Sequence, residues 1–170
     1  MNAYLGQERA SSLLPNVAQA VTAGDSLLGA PLLTSSNPLV CNSAAFRAAG
    51  VVTYPSTWED VTEMAPLFTE KGMYALTYSA DPGQTLNMSF YPLLWQAGGS
   101  VFDADEQIAF NSPQGVRALE FLTALARGNA LEPDSLTTAL NTEQTEFAAG
   151  RSGCTWSIPA VDLAPVLGEE

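Results

Sequence analysis

Short helices with written-in start and stop signals alternate along this chain with short strand-like runs, and that alternation admits only an α/β or α+β architecture. Residues 57–70 carry the clearest helix. Thr57 is its N-cap, Asp60 stands three residues on in the capping-box position, and Gly72 ends it. Trp58, Val61, Ala65 and Phe68 make its apolar face, and Pro66 is expected to kink it. Asn42 or Ser43 caps a second helix through Ala49, stopped by Gly50. Ser112 caps a third, with Pro113 at its first position and Gly128 after it; Val116, Leu119, Leu122 and Leu125 are expected to face the core. Further helices are expected over 11–23, over 84–97 up to Gly98-Gly99, and over 142–149. In the last of these, Asn141 and Gln144 form a capping-box-like pair and Gly150 is the stop. Strand patterns occupy 73–79, 101–102 and 152–158. Residues 32–41 read as extended, with Pro38 suited to an edge.

A chain of 170 residues with 46 % hydrophobic content is long and apolar enough for one domain with a real core. Six Lys and Arg stand against 18 Asp and Glu, a balance that cannot neutralise a run of phosphates, so nucleic acid is excluded as a partner. The absence of His removes His general bases, His-containing triads and His-ligated metals. Cys41 and Cys154 show no CxxC spacing; they are either one disulfide or two small buried hydrophobes. Lys71 has no phosphate-binding loop to serve. Asp103, Asp105 and Glu106 lack the pattern of a calcium loop and read as a solvated turn. No apolar run reaches the ~18 residues of a membrane helix, and residues 1–10 do not read as a signal peptide.

Three stretches carry a resemblance. The first is Phe46-Arg-Ala-Ala-Gly50 followed by Pro55-Ser-Thr-Trp-Glu-Asp60. The second runs from Leu94-Trp-Gln-Ala-Gly-Gly99 through Phe102-Asp103 to Phe110-Asn-Ser-Pro-Gln-Gly-Val116 and Ala118-Leu-Glu-Phe121. The third is Glu146-Phe-Ala-Ala-Gly-Arg151. In order and spacing they resemble the sugar-binding family of extracellular solute-binding proteins of ABC importers, the family that includes maltose-binding protein.

The resemblance implies a non-catalytic protein without cofactor or metal, in which two α/β lobes close over a sugar and an ABC permease senses the closure. It implies an extracytoplasmic location. It assigns 1–30 to a remnant of the N-terminal lobe, 31–42 to a crossing or hinge strand, and 43–170 to a C-terminal-lobe-like α/β domain. The fold expected is thus one lobe of a periplasmic-binding-protein type II-like fold, with helices packed on a short mixed sheet. Ligand contacts are implied in three places. Ser35, Ser36 and Asn37 stand on the crossing strand, and Asn87 and Tyr91 at the start of the helix before Gly98-Gly99. The loop after the third motif offers Trp156, which precedes the family's usual Gly-x-Trp position, and Cys41 stands where many members have Tyr.

Each candidate has a second reading from the residues alone. Ser35 to Asn37 also suit an ordinary polar bend, and Tyr91 with Trp95, four apart on an apolar helix, suit core packing. At the level of function, the alternative is an interaction domain that dimerises through the former cleft face. A carboxylate-pair glycosidase is a third reading, for which no Asp or Glu stands in a recognisable catalytic arrangement.

Overall fold

The computed structural model describes residues 2–32, 38–80, 89–135, 137 and 140–156. They fall into two compact units, residues 1–36 and 37–170. The first holds helices α1 (Asn2–Ser11) and α2 (Pro15–Ala20), then strands β1 (Thr22–Ala23) and β2 (Ser26–Leu27). The helix expected over 11–23 is therefore shorter. It begins at Pro15, which sits at N1 where its missing N–H costs nothing, and it yields to a tight antiparallel hairpin. Gly24 turns that hairpin at φ 56°, a conformation that glycine adopts without strain.

The second unit contains β3 (Val40–Cys41), α3 (Ser43–Ala49), α4 (Trp58–Thr69), β4 (Tyr74–Thr77), α5 (Phe90–Gln96), α6 (Pro113–Arg127), α7 (Leu140–Ala148) and β5 (Ser152–Thr155). Its sheet has the order β3-β5-β4, with β5 antiparallel to β3 and parallel to β4. Helices pack on this short mixed sheet, as the sequence led one to expect.

The caps are where local chemistry puts them. Asn42 accepts hydrogen bonds from the backbone N–H groups of Ala44 and Ala45, and Gly50 closes α3 in the left-handed region. In α4 the Thr57 hydroxyl accepts from the Asp60 N–H at 3.1 Å, while Asp60 Oδ2 accepts from Thr57 and Ser56 at 2.9 and 2.7 Å. Those two backbone donors hold the Asp60 carboxyl below its ordinary range. Ser112 accepts from the Gly115 N–H to start α6. Pro66 lies inside α4, and the helix continues through it to Thr69.

The core gathers Phe46, Val61, Met64, Phe68, Leu76, Leu93, Phe121 and Leu125 around Cys154. Four expectations need correction. Leu140 and Asn141 lie inside α7, so Asn141 is not a cap. The strand over 152–158 ends at Thr155, so Trp156 stands just past it rather than on it. The described part of the 84–97 helix begins at Phe90; residues 84–88 lie outside the described residues. The inner face of α6 is Gly115, Ala118, Phe121 and Leu125, whereas Val116 and Leu119 are half exposed. That face packs against α4 and α5, and at Gly115 a side chain would also collide with the Phe110 carbonyl of the loop leading into the helix.

Cys41 and Cys154 form a disulfide, closing the question the sequence left open. They are direct partners in the β3–β5 register, 113 residues apart in sequence, with Cα atoms 4.1 Å apart. Two half-cystines brought face to face by a strand pairing are within bonding reach only because that register exists.

Candidate functional site

The topology brings the entry to β3 and the exits of β4 and β5 to one end of the sheet. β4 and β5 run parallel and end on the same side, β4 leading into Tyr78-Ser79-Ala80 and β5 into Trp156. β3 runs the opposite way, and Val40 at its start pairs with Thr155 at the end of β5. The chain following residues 35–37 therefore enters the sheet where the other two segments leave it. In open α/β sheets the carboxyl ends of the strands are where ligands gather, because loops diverge there.

Of the residues proposed for ligand contact, Ser35, Ser36, Asn37 and Asn87 lie outside the described residues. Tyr91 and Trp156 lie within them. Tyr91 is the second residue of α5, half-buried, with its ring 6.4 Å from that of Phe90 and 6.0 Å from that of Trp95. Trp95 is 52 % exposed, so the core reading fails for it. Trp156 belongs to a run of aromatic rings. Trp58 stacks on Phe121 at 4.9 Å with planes 12° apart, Phe121 lies 5.8 Å from Trp156, and Trp156 meets Tyr78 edge-on at 6.1 Å. Among the described residues its buried indole N–H has no hydrogen-bond acceptor. Trp58 by contrast donates its N–H to Gln96 Oε1 at 2.9 Å.

Beneath this edge lies a buried polar layer that the sequence reading missed. Thr155 Oγ1 donates to Glu143 Oε1 at 2.5 Å, with both side chains fully buried. Thr77 and Ser152 share a hydrogen bond of 2.9 Å. Tyr78, Ser79 and Ser89 are also buried. The signal was available: Tyr78 and Ser79 close the strand pattern of 73–79, where the strand-end rule places ligand contacts.

Burial pushes the Tyr78 phenol up to about 12, helped by the nearby negative charge of Glu143 and opposed by a hydrogen bond with Ser89. The unfolded chain loses this proton near pH 10 while the folded one keeps it to about pH 12. Between those values the unfolded state is the one that has shed the proton, so stability should fall as pH rises through that window. Alkaline unfolding of the protein against Tyr78→Phe measures this. The variant should lose stability less steeply above about pH 10, and parallel curves would show that Tyr78 ionises freely in the folded state.

A groove of about 1270 Å³ opens beside the same edge, sharing Tyr78 and Ser89 with it. Phe90, Ile108, Phe110, Val116, Leu119 and Leu122 supply its apolar wall, with Arg127 and Glu132 among its lining. Glu132 is held above its ordinary range by burial first, then by the charge of Glu146, with Arg151 working against both. Asn111, Asn129 and Ser135 add hydrogen-bonding groups to its mostly apolar lining.

The acidic turn is structural: Asp103 Oδ1 accepts the backbone N–H groups of Asp105 and Gln107, each at 2.9 Å. Among the described residues no three His, Cys, Asp or Glu side chains are grouped to hold a metal, and no helix is long and apolar enough to cross a membrane.

The fold has relatives. A solved maltose-bound MalE3 of Thermotoga maritima superposes with a TM-score of 0.75 at 22 % identity, over 91 % of this chain and 39 % of its own. A sugar transporter of Arthrobacter chlorophenolicus with bound laminaribiose gives 0.76 at 18 % identity, again over 91 % and 39 %. A Sinorhizobium fredii protein named "Probable amino-acid ABC transporter periplasmic-binding protein y4oP" is 29 % identical over 102 residues, which is 59 % of this chain and 24 % of that protein. The chain thus spans about a quarter of that relative and about two-fifths of the solved ones. The family model described as bacterial extracellular solute-binding protein matches residues 2–161, nearly the full length, and the chain belongs to that family.

Proposed function

We propose that this chain furnishes one wall of a non-catalytic, extracytoplasmic solute-binding cleft, and that the solute is a neutral polyhydroxylated molecule of the sugar class, delivered to an ABC permease. The observation that carries this reading is the convergence of three segments on one strand edge: the entry to β3, the exit of β4 and the exit of β5. Within the reading, Ser35, Ser36, Asn37 and Asn87 donate and accept hydrogen bonds, while Tyr91 and Trp156 offer aromatic faces. The assignment of 1–30, 31–42 and 43–170 to lobe remnant, crossing strand and lobe belongs to the same proposal.

The relatives divide over solute class, since one is named for amino acids and others hold sugars. The distribution of charge favours the neutral solute. The chain's six cations are Arg9, Arg47, Lys71, Arg117, Arg127 and Arg151, and none lies in residues 31–42, 72–96 or 152–160. A free amino acid brings a carboxylate that is ordinarily met by a charge-assisted donor, and these segments supply only neutral donors. A sugar needs hydroxyl and amide partners and an aromatic platform, which they have.

Thermal unfolding recorded against panels of mono- and oligosaccharides and of L-amino acids, with solution mass on the same sample, tests the proposal. Saturable stabilisation by a sugar, weakened by Asn37→Ala and Tyr91→Ala, is the expected result. Because half the contacts of a two-walled cleft are absent from one wall, the affinity should be weak. Stabilisation by amino acids alone would overturn the solute class. Silence to both panels with a dimeric mass would favour the interaction-domain reading instead.

A further inference from the structure

β3 is two residues long and, among the described residues, has one neighbour in its sheet, β5. Its ladder is continued by the Asn42 N–H, which donates to the Gly153 carbonyl at 2.8 Å. The disulfide joins the middle of this short pairing. β5 has a second and longer pairing with β4, and the core is built from α3, α4, β4, α5, α6 and β5, with Cys41 packed only at its margin. The bridge is thus a large part of what holds β3 and a small part of what holds the rest. Its two ends also differ in access: Cys154 is fully buried, whereas Cys41 is partly exposed.

We propose that the Cys41–Cys154 bridge is a redox-sensitive clamp on β3, opened from the Cys41 side and releasing that strand while the remainder of its unit stays folded. A dithiol reductant supplies the electrons. Its thiolate attacks Cys41 Sγ, the Sγ–Sγ bond breaks, and the electron pair leaves on Cys154 Sγ, which takes a proton. The second thiol of the reductant then displaces Cys41, so the reductant ends as a disulfide and both cysteines end as thiols. Because β3 begins at the strand edge described above, its release would loosen that wall. This consequence rests on the proposed function; the clamp itself does not.

The test therefore contains no sugar. The folded protein is held in dithiothreitol without denaturant, new thiols are trapped with iodoacetamide for mass spectrometry, and amide exchange and far-UV circular dichroism are followed. Both thiols should appear with the far-UV signal retained. Exchange should quicken at least about tenfold at residues 40–42, and stay unchanged at 118–125 in α6. The double variant Cys41→Ser/Cys154→Ala should show the same pattern with no reductant present. The clamp is overturned if the bridge yields only when the chain unfolds, or if reduction or the double variant unfolds the whole unit. Unchanged exchange at 40–42 after reduction would overturn it as well.

Discussion

Phe68→Ala is expected to remove about 3–5 kcal/mol of stability. Phe68 comes from the last turn of α4, is fully buried, and meets Phe46 of α3 edge-on with ring centroids 5.1 Å apart. On its other side it lies against β5, the central strand, at Gly153. One ring therefore joins two helices to the sheet. Removing it leaves a cavity whose walls are held by the capped start of α3 and by a strand paired on both edges, so little collapse can follow. Domains of this size hold only about 5–15 kcal/mol in total, so the melting temperature should drop on the order of 10 °C. Chemical denaturation of the two proteins, compared at equal slope, measures it. A loss below about 1 kcal/mol would mean that α3 and α4 repack freely over the sheet.

What the sequence made legible was what local chemistry decides. The caps of α3, α4 and α6 were read in place because a cap is a contact between residues two to four apart. What it hid was decided at long range. α6 carries two apolar stripes, one of larger aliphatics through Val116, Leu119 and Leu122, the other through Gly115, Ala118, Phe121 and Leu125. Hydrophobicity alone favours the first as the core face. Packing of the helix against α4 and α5, with Trp58 stacked on Phe121, selects the second. Likewise the pairing of Cys41 with Cys154 depends on a register between strands 113 residues apart, which no spacing rule announces. At the candidate site, Trp156 stood out by composition. Its place in an aromatic run with Phe121 and Tyr78, and the buried Glu143–Thr155 pair nearby, come from the crossing of β4, β5, α6 and α7. Burial of a carboxylate such as Glu143 has no signature in a single sequence.

The contact between Phe68 and Gly153 predicts a coupling that neither residue shows alone. A Cβ on Gly153 would lie 2.6 Å from both Cε1 and Cζ of the Phe68 ring and 3.1 Å from the Ala75 carbonyl oxygen. Neither side can yield cheaply. The ring is wedged against Phe46, and β5 is fixed between β3 and β4 with the disulfide at the adjoining Cys154. Gly153→Ala should therefore cost about 1–3 kcal/mol from overpacking, even after the ~0.4–1 kcal/mol gained by restricting the unfolded chain. In a Phe68→Ala background the obstructing ring is gone and the added methyl enters the cavity it left. The same substitution should then be neutral or stabilising, so the double variant should be more stable than the sum of the two losses by about 1–3 kcal/mol. Additivity within about 0.5 kcal/mol would sink the idea, because it would show that the two residues do not share the space between α4 and the central strand.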